Sequence, residues 1–279
     1  MSATSVRLSI IIITWNELDN LKRCLESLLD KVDFSKDEVI VVDNGSRDGS
    51  AEFVAQHPQI RYFPLDRNYG VGPARNRGLF LAHGEYCMTL DNDTIFLTRD
   101  PGTIVEDFFK AHPDTGVVGF QLLNVDRSRQ DSTRRFPRFY QPIAARIAAS
   151  RKLKFVNDEL TRHLMTDVNF DQASEPLEVD YVLGASQTFS KKVATLLMGY
   201  DDRIFFGPED AEFCVRTHKL GLRNYYSRSI SIVHDYKRRT RKFSKLTLKH
   251  LAGFAYMLKK HGGVYRYSLS TRSKTHEQT

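Results

Sequence analysis

Cysteine is scarce. The 279 residues hold three, Cys24, Cys87 and Cys214, odd in number, far apart and without a CxxC pair. This excludes a disulfide scaffold and a cysteine-ligated zinc domain, and it suits a reducing cytoplasm in which the three act as small buried hydrophobes. Long apolar runs are missing too, since nothing approaches the roughly 20 residues of a membrane span. The N-terminal run Leu8–Ile13 follows a single Arg7 and leads into Thr14-Trp15-Asn16 instead of a small-residue cleavage site, so it is expected to be a buried strand and not a secretion signal. There is no Walker A sequence and no detectable internal repeat.

Lys and Arg number 41 against 34 Asp and Glu, for a net charge of +7. The surplus is local. Residues 235–279 carry 12 Lys/Arg and 2 Asp/Glu, which leaves 29 and 32 in residues 1–234. A nearly neutral body argues against a nucleic-acid-binding core, whose basic stripe would lie on the folded face. At 41% hydrophobic and 27% charged, the composition is that of a globular chain long enough for one large domain or two small ones.

From residue 8 to about 120, short β-branched runs alternate with helical periods. Leu8–Thr14 precedes Leu18, Leu21, Leu25 and Leu28, spaced as one helix face, and Glu38–Asp43 precedes a Ser/Gly turn. Ile60–Phe63 and Glu85–Leu90 read as further strands, with Pro73 and Pro101 near the first turns of the helices that follow. The pattern predicts an α/β fold with a mainly parallel central sheet flanked by helices. Residues 121–178 read as a long Arg-rich insertion, helical from Ile143 to Leu153. Order returns at Val179–Phe189, with a helix from Pro208 to Leu220, strands at Arg223–Tyr226 and Ile230–His234, and an amphipathic helix over Lys245–His261 before a polar, disordered end.

Ligands of such sheets gather beyond the carboxyl ends of the strands. Three polar clusters fall there: Thr14-Trp15-Asn16, Asp43-Asn44-Gly45-Ser46 and Asp91-Asn92-Asp93. The paired carboxylates of the last suit a hard divalent cation, Mg²⁺ or Mn²⁺, that completes its shell with phosphates. Asn68–Asn76 is a glycine-rich turn into a helix, where the helix N-terminus and Arg75 favour an anion. Arg75 stands where a dinucleotide fingerprint needs a small residue, which excludes that cofactor. Glu209-Asp210 opens a helix with Glu212 in its first turn, and one of these carboxylates could act as a general base. His234 ends a strand.

Taken in order, LSIIIITWNE (8–17), VVDNGSRDG (41–49), NYGVGPARNRG (68–78), the Asp91–Asp93 triplet, YVLGASQTF (181–189), Glu209–Arg216 and His234 resemble the inverting, nucleotide-sugar-dependent glycosyltransferases of family 2, with the GT-A fold. The likeness covers about residues 8–235 and is strongest to bacterial rhamnosyltransferase-like members that build surface polysaccharides. It implies a GT-A domain over 1–235, with a nucleotide-sugar half (1–120) and an acceptor half (121–235), followed by a basic helix and tail over 236–279.

The resemblance further implies that Thr14, Trp15, Asn16 and Glu17 line the nucleotide pocket and that Asp43 bonds the base. Asn68, Gly72 and Arg75 would lie by the ribose and diphosphate. Asp91 and Asn92 would face the donor, with Asp93, Asp91 and His234 on the metal. Gly184 and Ala185 would face the donor sugar and acceptor, and Asp210 of the Glu209-Asp210 pair would be the catalytic base. The expected reaction moves a sugar from a UDP- or dTDP-sugar, with dTDP-rhamnose a candidate, to a glycan or lipid-linked acceptor. Gly207-Pro208 and the residues after His234 depart from the family pattern on the acceptor side, where Arg134, Arg135 and Arg138 could grip an anionic acceptor. A sugar-nucleotide pyrophosphorylase would want a glycine-rich loop after the first strand, which Thr14–Glu17 is not. A polyanion- or membrane-binding module would leave the rim carboxylates without a role. The expected location is cytoplasmic, with docking of the basic helix on the inner face of the membrane, or its packing on the sheet domain, left open.

Overall fold

The computed structural model describes residues 6–137, 153–235, 245–264 and 267–269. Four strands, β1 (Leu8–Thr14), β2 (Asp37–Asp43), β3 (Ile60–Pro64) and β4 (Tyr86–Asp91), form a parallel half-sheet in the order β3-β2-β1-β4. Their bounds lie within a residue of those expected. Helices α1 (Leu18–Leu29), α2 (Ser50–Val54) and α3 (Val71–Leu81) make the crossovers. The β1 sequence LSIIIIT has no polar alternation because both its faces are covered. Ile10 and Ile12 pack on one side with Leu21, Cys24, Leu25 and Leu28 of α1, and Ile11 packs on the other with Ala74 of α3. On that second side α3 approaches β1 so closely that a Cβ at Gly78 would sit 2.2 Å from the Ile11 side chain.

The second half of the sheet is mixed. Strand β5 (Thr94–Phe96) leaves the rim, and α4 (Pro101–Ala111) follows with Pro101 in its first turn and the Asp100 side chain accepting from Thr103 N. Next come β6 (Thr115–Leu123), the short β7 (Thr133–Arg134), α5 (Lys154–Leu164), β8 (Leu177–Val179), β9 (Tyr181–Val182) and β10 (Ser186–Ser190). Helices α6 (Lys191–Leu197) and α7 (Glu209–Lys219), strand β11 (Arg223–His234) and helix α8 (Lys245–His261) complete the chain. The main sheet runs β3-β2-β1-β4-β10-β6-β11-β5, with β8 also on β11, while β7 and β9 form a separate ribbon. Strand β10 is antiparallel to both β4 and β6, so in the sheet expected to be mainly parallel, parallel pairing is confined to β3-β2-β1-β4 and β6-β11.

Two details differ from expectation. The strands expected at Arg223–Tyr226 and Ile230–His234 are one strand, whose register against β6 shifts between Ser227 and Ser231. Residues 121–123 finish β6 before the insertion begins, and the described helix of that insertion is α5. The helix expected over Ile143–Leu153 lies outside the described residues except for Leu153, as do Arg138 and most of the polar end.

Helix α8 packs on the sheet domain. Met257 is fully buried and Phe254 nearly so, in the same apolar cluster as Phe213 of α7. Its polar side is anchored as well: Lys260 Nζ donates to Asp201 (2.7 Å) and Glu212 (2.6 Å), and the Tyr256 hydroxyl donates to Asp201 (2.8 Å). His261 Nε2 lies 3.0 Å from Glu212 Oε1, and Arg216 Nε donates to Glu212 Oε2. Much of the apolar face that a membrane surface would need is therefore turned to the protein itself, although Leu248 is 52% exposed. None of the described helices is long and apolar enough to cross a membrane.

Burial works against the charge on Glu212, but the hydrogen bond from His261 and the positive Arg216 and Lys260 outweigh it and hold the carboxyl below its ordinary value. A carboxylate with a depressed folded value adds stability above its unfolded pKa, about 4.3 for Glu, and that stability is lost as pH falls through the folded value. Glu212→Gln, which removes the charge at neutral pH, is expected to speed amide exchange across residues 245–261 while β1–β4 stay protected. Unchanged exchange would show that apolar contacts alone hold α8.

Candidate active site

Strand register assembles the rim. Parallel pairing sets Thr14 beside Asp43 and Ile13 beside Asp91, so the ends of β1, β2 and β4 coincide. Because β10 runs against β4, its beginning meets the end of β4, and Ala185 O accepts from Asp91 N (3.2 Å). Strand β11 ends beside β5, pairing His234 with Thr94, and Asp235 N donates to Asp93 O (2.9 Å). Asp93 and Asp235, 142 positions apart, thus meet at one edge.

A cleft of about 940 Å³ opens there. Thr14, Trp15, Glu17, Asn68, Arg75, Asp91, Asn92, Asp93, Gly184, Ala185, Glu209, Asp210 and His234 all line it. Trp15 is 48% exposed at its mouth. Asn92 is buried and donates to Thr14 Oγ1 (3.0 Å), which ties the acidic loop to the end of β1.

Three expected donor residues stand one layer back. Asn16, with φ 51°, accepts from Arg47 N at its side-chain oxygen and donates its own N–H to Ser46 Oγ, so it clamps the β1 and β2 loops together. Asp43 is buried, accepting from Ser46 N (2.7 Å) and the Tyr62 hydroxyl (2.6 Å). Gly72 packs α3 against Tyr200–Ile204. Asn44 was overlooked although its cluster was noted. It lines the cleft, donates to Asn68 Oδ1 and Gly70 O, and accepts from Tyr69 N, fixing the turn into α3. That turn needs glycine at 70, where φ is +100° and a Cβ would fall 2.4 Å from Phe205 O.

Arg75 lies at the floor of the cleft, turned toward acceptors of this chain. Its side chain is 2% exposed. One Nη donates to Asp91 Oδ1 (2.9 Å) and Gly184 O (2.7 Å), and the other to Glu209 Oε1 (3.2 Å). A Cβ at Gly184 would come within 2.6 Å of the guanidinium. Burial opposes its charge, but Asp91 and then Tyr200, Glu209 and Asp210 more than compensate and hold its pKa above the ordinary value. Arg75 is thus engaged by two carboxylates of this chain.

Glu209 and Asp210 differ accordingly. Glu209 is buried against Arg75, and Asp210 is half-buried and takes hydrogen bonds from Gly184 N (3.0 Å) and Ala211 N (2.7 Å). Both carboxyls are raised above their ordinary values, first by burial; for Glu209 the neighbouring Asp210 charge adds to the rise. Arg75 pulls both back down but does not cancel the effect.

Asp91, Asp93 and His234 each bring a donor atom within 4.8 Å of the others. His234 Nε2 lies 3.3 Å from Asp93 Oδ1, and its Nδ1 lies 2.7 Å from Gln130 Oε1. Two carboxylates and one imidazole, open to the cleft on one side, fit a divalent cation that keeps positions for phosphate oxygens. Burial lowers the His234 pKa, but Asp93, then Asp91 and Asp235, outweigh it and raise the net value.

The far wall comes from segments that motif reading did not reach. Phe205, Phe206 and Leu246, with Phe254 and Met257 of α8, make it apolar, and Lys249 and His250 add polar ends. Lys249 Nζ sits 3.2 Å from the centroid of the Phe205 ring. Of the arginines expected to grip an acceptor, Arg135 pairs with Asp167 (2.6 Å) and Arg134 donates to Thr133 O.

The family model for glycosyl transferase family 2 matches residues 9–165, more than half of the chain. The chain belongs to that family. N-acetylglucosaminyl-diphospho-decaprenol L-rhamnosyltransferase of Mycobacterium tuberculosis is 24% identical to the family 2 chain over 277 residues, 94% of this chain and 87% of that protein. Poly-beta-1,6-N-acetyl-D-glucosamine synthase of Staphylococcus epidermidis is 31% identical over 114 residues. That match spans 40% of this chain and only 27% of the synthase. The mannosyltransferase PcManGT of Pyrobaculum calidifontis, solved with GDP-Man and Mn²⁺, superposes with a TM-score of 0.59 at 19% identity, over 91% of this chain and 64% of its own. The fold of this family 2 chain is GT-A.

Removing Arg75 would leave Glu209 buried, and the half-buried Asp91 beside it, without compensation, and breaking a buried pair typically costs about 3–5 kcal/mol. Arg75→Leu is expected to lower denaturant stability by that order, and adding Glu209→Gln to recover part of it. A loss below about 0.5 kcal/mol would place the guanidinium outside the load on the fold.

Proposed function

We propose that the chain is an inverting glycosyltransferase that moves a sugar from a nucleoside-diphosphate donor to a glycan or lipid-linked acceptor in bacterial surface polysaccharide synthesis. The observation that carries this reading is one cleft holding the Asp91–Asp93–His234 cluster together with a cleft-facing carboxylate, Asp210, at the start of α7. UDP- and dTDP-sugars, dTDP-rhamnose among them, are the proposed donors. The name of the mycobacterial relative and the apolar wall with Lys249 support an acceptor that joins a lipid to a diphosphate.

Asp91, Asp93 and His234 would hold a divalent cation, Mg²⁺ or Mn²⁺, whose contribution when bound is to neutralise charge on the departing diphosphate. Trp15 offers an exposed aromatic face for the base, and Thr14, Glu17 and Asn68 line the donor end. Gly184 and Ala185 bring backbone close to the sugar. Asp210 takes the proton of the acceptor hydroxyl as its oxygen bonds to C1 and the C1–O bond to phosphate breaks, with the electron pair leaving on the nucleoside diphosphate. Glu209, held by Arg75, is the poorer candidate for base and serves to fix the start of α7. A raised carboxyl makes Asp210 a stronger base, and its backbone donors hold it in place.

A positioned base is worth about 10²–10⁴-fold, so Asp210→Asn is expected to lower kcat by that factor with donor binding nearly intact. Near-normal turnover would remove Asp210 from the role. A base must be deprotonated to act, so kcat/KM is expected to fall on acidification at a pH above the ordinary Asp value of about 3.9, and a pH–rate profile checks this. Release of UDP, dTDP and GDP from a panel of nucleotide sugars, with and without Mn²⁺ or Mg²⁺, tests the whole reading. No release and no donor-dependent protection with any of them would sink it.

A further inference from the structure

Behind the acidic cluster lies a glutamine that no motif singled out. After β6 the chain turns through Asn124–Arg129 and folds back, with Asn124 N donating to Ser128 O (2.8 Å) and Gln130 N to Leu122 O (2.8 Å). This return carries Gln130, which is buried, to the inner side of His234. Its amide can lie only one way round. Gln130 Nε2 faces the backbone oxygen of His234 (3.2 Å), which can only accept. It also faces Asn124 Oδ1 (3.1 Å), and that oxygen is fixed because Asn124 Nδ2 is turned toward Ser128 Oγ and the backbone oxygen of Arg129. Both amide hydrogens of Gln130 are therefore spent, and Oε1 is the atom presented to His234 Nδ1 at 2.7 Å.

An oxygen at that distance accepts, so Nδ1 must carry the hydrogen. In the neutral ring the lone pair then belongs to Nε2, which points at Asp93 within the three-residue cluster. The geometry points to Gln130 as the positioning residue that sets the His234 tautomer and ring orientation for a divalent cation. This rests on the reading of Asp91, Asp93 and His234 as the ligands of that cation. It adds that the third ligand is made competent by a loop that ends 39 residues beyond β4, through Asn124, Gln130 and the main chain of His234 itself. Partners of this kind behind a ligating histidine are worth about 10–100-fold in metal affinity.

The test is binding of Mn²⁺ alone to the full chain, read as free Mn²⁺ by electron paramagnetic resonance. Gln130→Leu and His234→Ala are each expected to weaken binding about 10–100-fold. Wild-type affinity in Gln130→Leu beside weakened His234→Ala overturns the positioning role and leaves His234 as a ligand. Wild-type affinity in His234→Ala overturns both. A loss through packing alone would leave the ring proton unspecified, so ¹⁵N resonances of the wild-type His234 ring at alkaline pH decide independently of any variant: a hydrogen on Nδ1 supports the assignment, and a hydrogen on Nε2 with bare Nδ1 overturns it.

Discussion

The site depends on one buried positive charge. The Arg75 guanidinium, fixed on α3, binds the end of β4 through Asp91, the turn before β10 through Gly184 and the start of α7 through Glu209. These three segments carry the proposed metal-side acid, the backbone proposed to meet the sugar and the proposed base. A planar fork with several directed donors can serve three acceptors at once, which a lysine ammonium cannot do in the same geometry. Tyr200 covers the guanidinium at 5.4 Å, and Gly184 leaves the room it needs. Without that charge, three carboxylates could not share so small a space in ionised form.

The polar residues on the rim divide into two kinds. Some face the cleft, others, Asn16 and Asp43 among them, satisfy loop backbone so that the first kind are held still, and Asn44 does both. Both kinds look alike in sequence, since Asn and Asp serve loops and ligands equally well.

Legibility in the sequence followed the range of the interactions. The parallel half was readable because strands buried on both faces are unbroken β-branched runs and α1 repeats its leucines at helical spacing. Strands β5 and β6 were not, because the partners that define them come from β10 and β11, far along the chain. The acidic triplet, Asp210 and His234 could be picked out by residue type and order. The role of Arg75 could not, since its partners are 16, 109 and 134 positions away and its neighbours in sequence suggested an anion site. Helix α8 showed its amphipathic pattern clearly, but a pattern does not say what covers the apolar face.

The far wall of the cleft is built from α8, and the near wall from the loop after β1, so the lining runs from residue 13 to residue 257. Contacts between such distant residues carry a high loop-closure cost and form late. During synthesis strands β1 to β4 can therefore pair long before α8 exists. A chain halted before residue 245 would hold the loops after β1, β2 and β4 with no wall of α8 opposite, so the enclosed cleft is among the last things the folding chain acquires.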